Sequence, residues 1–485
     1  MMNNGLAIAL CCGLLIGCAS SDPYGYAPVA QRLQQDDALG DCARLFQVSD
    51  RLIDEAGTRD AQAPRVPGFP YRRADRVLAQ MAAQSDLTVP QAQAWSATLA
   101  VLDATARRIE LGNAGHDAAA LTDALAACRQ LLAWADQHEL PALLGAVQVS
   151  DDYSIAMRAL GLYPLTRYAF AAGIRSWQRD TLAEFAAQTA TDPFAAMRRR
   201  YTVSESLAAM PTLLDLPELG LPVLTRQTLT SLILRHAPQL DIATVSDADQ
   251  PGALVWRIDS DGRLRIGVAL NQPVLYVRTS HAHFAGRWLL QLIYTAWFPA
   301  RPPVHAYDVL AGRLDGLMWR VTLAEDGTPL VYDTIHPCGC YHLFIPTEQV
   351  QARPQTESID ENLFAPQTLR SLATHERVVL KIAAGTHYLQ RVEIDVARPD
   401  HSVALVLRDD DELRALPLPD GGSRSAFTPD GLIDGSERRE RFYFWPMGVV
   451  SAGQMRQWGR HATAFVGRRH FDDPTLIDRY FERLP

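Results

Sequence analysis

Lysine is all but missing from this 485-residue chain: Lys381 stands alone, and arginine supplies the other basic side chains. With so much alanine present, the bias reads as that of a GC-rich coding sequence and points to no activity. The formal charge is −9, so the basic face that a nucleic-acid binder needs is lacking. Beyond the first eighteen residues no apolar run approaches the length of a membrane span. Catalytic signatures are equally scarce. There is no HExxH, no paired CxxC, and no GxSxG elbow around Ser204, Ser206, Ser280 or Ser451. Gly421-Gly422 precedes neither a helix signal nor a lysine, which excludes a phosphate loop. Asp259-Ser-Asp-Gly262 begins like a calcium loop, but its twelfth position is Leu270 where a glutamate is required. Hydrophobic residues at 48% and charged residues at 21% are ordinary globular composition, so disorder is not the expectation.

What is present begins at the N-terminus. Residues 6–17 form an apolar run of signal-peptide length that closes on Leu15-Ile16-Gly17-Cys18. Those four residues resemble the lipobox of bacterial lipoproteins, although Met1 to Gly5 carries no Lys or Arg. The resemblance implies a signal peptide over residues 1–17, diacylation (palmitate) of Cys18 and contact with the membrane through that lipid. Ala19 after the cysteine resembles outer-membrane sorting, which implies an anchor facing the periplasm; an ordinary secretory signal is the other reading. Residues 18–29 are small and polar and read as the tether. After export four cysteines remain: Cys42, Cys128, Cys338 and Cys340. Proximity favours pairing Cys338 with Cys340, which leaves Cys42 and Cys128 as a helix-to-helix disulfide.

Residues 30–236 are patterned as helices. Leu39, Ala43, Phe46, Leu52 and Ile53 recur at three- and four-residue spacing, and Pro64 to Pro70 then break the chain in a loop. Further helices are expected over 73–83, 90–111, 117–138, 166–188, 192–209 and 225–235. Trp95, Trp134 and Trp177 on them read as core. From about residue 240 the texture becomes β-rich, with strands expected over 254–258, 264–270, 275–278, 317–323, 330–332, 378–383, 388–396, 403–408 and 442–444. Helices are expected at 284–297 and 452–461. No fixed-period repeat is evident. The fold class is therefore α+β: a helical N-terminal domain (30–236) followed by a mostly antiparallel, β-rich domain with a few helices (240–485).

Chemistry is densest at His336-Pro-Cys338-Gly-Cys340-Tyr-His342. If the chain is extended there, the four ligand-type side chains share one face and Asp333 falls on the other. Histidine nitrogen and cysteine sulfur are preferred zinc ligands. One ion reaches all four only if Pro337 and Gly339 bend the chain, so distant ligands such as His281 and His283 are also candidates, with His305, His375 and His387 beyond them. Three readings stay open: a Cys338–Cys340 disulfide, a metal site, and a cysteine nucleophile activated by His336 or His342. Arg438-Arg-Glu-Arg441 and Arg468-Arg469-His470 could grip an anion or simply pair with surface acids.

Segments 312–323, 338–342 and 456–461 resemble those of uncharacterised proteobacterial lipoproteins, which implies an envelope location and no particular activity. Two functions follow as expectations. One is a lipid-anchored envelope hydrolase in which a metal such as zinc, held by His336, His342 and a cysteine, activates water, with Asp333 as orienting group or base. The other is a non-catalytic envelope scaffold or assembly lipoprotein with a structural Cys338–Cys340 disulfide and an envelope protein as partner.

Overall fold

The computed structural model describes residues 22–84, 87–115, 118–187, 197–203, 219–222, 224–356, 358–396 and 401–484. The signal segment, Cys18, Ser204 and Ser206 lie outside the described residues. The chain is α+β, with helices concentrated in its first half and a large mixed sheet built mainly from its second. Among the described residues no helix is long and apolar enough to cross a membrane.

The early helices start where capping side chains satisfy their free N–H groups. Asp37 accepts from Leu39 and Gly40 at the head of α1 (Ala38–Glu55), and Asp75 accepts from Leu78 at α2 (Arg76–Ala83). Thr88 and Gln91 form a capping box on α3 (Val89–Asn113). α4 (Ala118–Ala135) follows, then the short α5 (Leu140–Ala146) and α6 (Ile155–Leu160), and α7 (Tyr163–Ala186). Cys42 on α1 is disulfide-bonded to Cys128 on α4. Inside the tether segment Tyr24 is already buried, its hydroxyl donating to Asp50 at 2.7 Å. The proline-rich loop expected near residue 70 is instead a small hairpin, β1 (Arg65–Val66) with β2 (Phe69–Arg73).

The helix expected at 192–209 is not formed over its described part: Arg198–Val203 is strand β3. After α8 (Arg226–His236) come β4 (Gln239–Ala243), the hairpin β5 (Ala253–Ile258) and β6 (Leu264–Ala269), and β7 (Val274–Phe284). The expected helix at 284–297 is a long strand, β8 (Arg287–Arg301). Its run Trp288 to Phe298 is buried residue after residue, so the period-two pattern of a half-exposed strand is absent. β9 (Gly312–Leu323), β10 (Pro329–Ile335), β11 (Leu343–Pro346), β12 (Val350–Ala352), β13 (Glu376–Ile382), β14 (Leu389–Val396) and β15 (Val403–Asp409) complete the strands that matter here.

The main sheet has the order β11-β10-β9-β8-β7-β15-β3-β4-β13-β14. β7 to β11 form an antiparallel meander, whereas β15 lies parallel to both β7 and β3, and β13 parallel to β4. β3 thus carries a piece of the first half of the chain into the sheet of the second. Near the C-terminus, the strand expected at 442–444 is the helical turn α9 (Arg441–Phe444). The helix expected at 452–461 is irregular chain containing Gly453 and Gly459 in left-handed conformations.

Beside the apolar core of the helical half lies a buried charge cluster. Arg73 grips Glu110 with both terminal nitrogens (2.8 and 2.6 Å), and Asp103 accepts from Arg73, Arg107 and Arg129. Burial alone would raise the Asp103 carboxyl, but Arg107 and Arg73 hold it down at about 2. Its stabilisation is therefore full above the ordinary value of 3.8 and is lost as the pH falls through about 2. Arg107→Ala, which leaves Asp103 to Arg73 and Arg129 and Asp50 to Arg65, should lower unfolding free energy in urea by about 3 kcal/mol at neutral pH.

Candidate functional site

The His336–His342 segment is the turn of the β10–β11 hairpin, not an extended strand. The backbone N–H of His336 donates to Cys340 O (3.0 Å) and that of Gly339 to His336 O (2.8 Å). Gly339 takes φ +92°, and a Cβ there would lie 2.3 Å from Ala462 O, so glycine is required by close approach as well as by conformation. Tyr341 holds φ +62°, an unusual conformation for an aromatic residue. The segment around Arg456 clamps the turn: its N–H donates to Pro337 O (2.9 Å) and its guanidinium to Cys338 O (3.2 Å).

This turn separates the residues that an extended chain would align. His336 Nδ1 meets Asp315 Oδ1 at 3.2 Å, and His342 Nε2 meets Asp333 Oδ2 at 2.8 Å. Each imidazole is thus tied to a carboxylate on a different strand. His281 and His283 lie on β7, three ladders away and several residues further along, on the order of 20 Å from His336. Among the described residues no three His, Cys, Asp or Glu side chains converge to hold a metal ion. The expected set His336, Cys338, Cys340, His342, His281 and His283 is therefore not brought to one point among the described residues, although the first four share one turn. Asp333 is fully buried and held by Arg320 as well as His342. Burial opposes its ionisation, Arg320 overcomes this, and the carboxyl titrates below its usual range. It is an ion-pair anchor rather than a base. His342 is kept neutral, its burial pushing it down to about 3, and its Nδ1 has no partner.

Cys338 and Cys340 are not bonded to each other, which corrects the disulfide expected from their proximity. The Cys340 N–H donates to Cys338 Sγ at 3.4 Å. A hydrogen bond to the Cys338 side chain and then burial raise the Cys340 thiol well above its ordinary range, which disfavours the thiolate that a nucleophile requires.

What the turn does is close one wall of a cavity of about 490 Å³. α7 supplies Phe170, Ile174 and Trp177; the hairpin turn supplies Cys338, Cys340, Tyr341 and His342; Phe364, Tyr388, Phe444 and Phe465 complete an aromatic lining. Trp177 stands 5.5 Å from Tyr341 and 5.6 Å from Phe364, ring centre to ring centre, and Tyr341 lies 4.6 Å from Tyr388. Two carboxyls also line the cavity: Glu361, 3.8 Å from Arg469, and Glu440, which is 3% exposed. Burial raises Glu440 to about 7; Arg438 and Arg301 oppose the rise, while Asp315 and Asp308 add to it. Gly453, at φ +82°, makes the room: a Cβ there would sit 1.8 Å from Glu440 Oε1.

Behind the wall, Asp315 binds three groups. It accepts from His336 Nδ1 and from His387 Nδ1 (2.9 Å) and lies 3.4 Å from Arg438 Nη2. His387 reaches Asp249 through Nε2 at 3.5 Å. Burial disfavours the charged His387 ring, but Asp249 and Asp315 outweigh it and raise the ring's pKa.

In the sequence Glu440 is overshadowed by the arginines flanking it, and Trp177 both packs against the core and lines the cavity. Three arginines around one acid, followed by Phe442-Tyr443-Phe444-Trp445, was the available signal.

No family model, curated protein or solved structure matches this chain.

Two measurements test this site. Denatured chain starting after Cys18 should release two thiols to a disulfide reagent, with slow reaction in the native state; no thiol at all would refute the unbonded pair. Glu440 favours its neutral form on folding, so its stabilisation is full below 4.5 and lost as the pH rises through about 7. Glu440→Gln, a neutral isostere, should gain up to about 3 kcal/mol on the unaltered chain between pH 5 and pH 8, read by urea unfolding.

Proposed function

We propose that this chain is a lipid-anchored protein of the bacterial outer membrane, facing the periplasm, that encloses an apolar ligand bearing one hydrogen-bonding head group. The lipobox-like ending at Cys18 supports the anchor. The cavity supports the binding role, and the observation that carries it is the aromatic lining with the buried carboxyl of Glu440 set into it. Ligand sites are commonly of this size and kind, with a mostly apolar wall fixing shape and one or two polar groups fixing orientation. Glu440 can donate a hydrogen bond while protonated and accept one when ionised, so head-group preference should change near pH 7.

Hydrolysis is the second reading, and Glu440 is what favours it. A carboxyl titrating near neutrality can give or take a proton during acyl transfer without a metal. The two readings part on Glu440→Gln: a binding protein keeps its ligand with altered head-group preference, whereas a hydrolase keeps the ligand and loses turnover of an envelope ester or amide.

The neutral fluorophore N-phenyl-naphthylamine tests the cavity directly. Saturable fluorescence enhancement at one site is expected. Gly173 lies on the cavity-lining helix with open space beyond its Cα. Gly173→Phe should therefore weaken binding by about tenfold or more, the loss of a well-fitted apolar contact area. Enhancement that never saturates, or that Gly173→Phe leaves unchanged, would refute the cavity as the binding site.

A further inference from the structure

Two adjoining segments, one of them continuous with the cavity-lining part of α7, carry nine of the large apolar side chains left in solvent. Ile155, Leu160, Leu162, Leu165 and Tyr168 are exposed on α6, on the link to α7 and on the first turns of α7, Ile155 at 71% and Leu165 at 70%. Phe442, Tyr443, Trp445 and Val450 are exposed on α9 and the chain that follows it, Phe442 at 65%. These two segments pack on one another. Arg158 donates to Met447 O at 2.8 Å, Ser154 N–H donates to Gly448 O at 2.7 Å, and the Phe170 and Phe444 rings meet edge to face at 5.3 Å. Single exposed apolar residues are ordinary, but nine on adjoining elements form a patch of the kind that marks an interaction surface.

Charge indicates what covers it. The chain as a whole is acidic, at −9, yet residues 155–179 contain four arginines and no acid. Arg175 and Arg179 are exposed, as is Arg439 just before α9. Arg167 lies 4.0 Å from Asp360, and the exposed Asp180 follows Arg179. Exposed Trp, Tyr, Phe and Leu side chains rimmed by arginine match the water–lipid boundary, where amphipathic rings sit at head-group level and cations meet anionic lipids.

We propose that the face formed by α6, the start of α7 and α9 docks on an anionic lipid bilayer. The helical period of α7 divides the two roles: Phe170, Ile174 and Trp177 line the cavity, while Leu165 and Tyr168 point to solvent. Docking would bring the cavity's wall against a store of apolar ligand, the one respect in which the proposal rests on the binding function above.

The chain from Ala19 onward keeps every described residue and carries no acyl group, so it reports this face without the anchor. It should co-sediment with phosphatidylcholine vesicles containing phosphatidylglycerol and far less with phosphatidylcholine alone. Phe442→Ser combined with Trp445→Ser should reduce partitioning by about tenfold or more through lost apolar burial. Arg175→Glu with Arg179→Glu should reduce it by at least about tenfold, on the anionic vesicles only. Unaltered protein that stays in solution, or variants that sediment unchanged, would overturn the proposal. So would lipid-free self-association, seen by analytical ultracentrifugation and abolished by the Phe442/Trp445 pair, which would assign the face to a second copy. The outcomes for docking and cavity are separable: Gly173→Phe should still sediment, and a chain that sediments but never binds the neutral probe leaves docking intact while refuting the cavity function.

Discussion

Asp315 is 1% exposed, and its carboxylate is the point at which three distant stretches of chain are tied to β9. His336 opens the hairpin turn that presents Cys338, Cys340 and Tyr341; His387 precedes the cavity residue Tyr388; Arg438 precedes Glu440. Each partner is thus one to a few residues away from a group lining the cavity. Burying a carboxylate is costly unless it is surrounded by donors, and here the donors are the residues that place the walls. Burial opposes the charge, yet His336 and Arg438 hold the Asp315 carboxyl well below its ordinary range. The negative charge retained there also helps to keep Glu440 protonated. One ion thus fixes both the shape of the cavity and the state of Glu440.

The apolar lining and the exposed aromatic face follow from the same economy of elements. α7 has no wholly polar side: its inner residues meet the hairpin turn and Phe364, and its first turns leave Leu165 and Tyr168 outside. The irregular chain after α9 performs a similar double task. Gly453 yields space to Glu440, and Arg456 clamps the hairpin turn from the other side. Regular helix at 452–461 would have supplied neither.

The α+β class and the early helices were legible from spacing, because helix faces are local signals; the Cys42–Cys128 link was reached only by setting aside Cys338 and Cys340 as a pair, which they are not. β8 was not, since Trp288 to Phe298 is buried on both faces and carries no alternation to separate strand from helix. The parity argument for His336 to His342 failed for a different reason. It assumes extended backbone, and Gly339 and Tyr341 turn the chain back within that very stretch. Glu440 was invisible because its chemistry comes from what covers it, and the covering residues are brought from α7, the hairpin turn and the segment around Gly453.

The position of β3 has a consequence for how the chain comes together. Val203 pairs with Leu405, and β15 on its other edge pairs with β7, so the middle of the sheet cannot close until residue 409 is available. Pairings of such sequence separation form slowly, because a long loop must be ordered before any contact rewards it. A chain delivered N-terminus first would therefore pair β3 with β4 early but hold its other edge open until β15 emerges. Such a strand invites wrong partners, so a holding factor would have most to protect here.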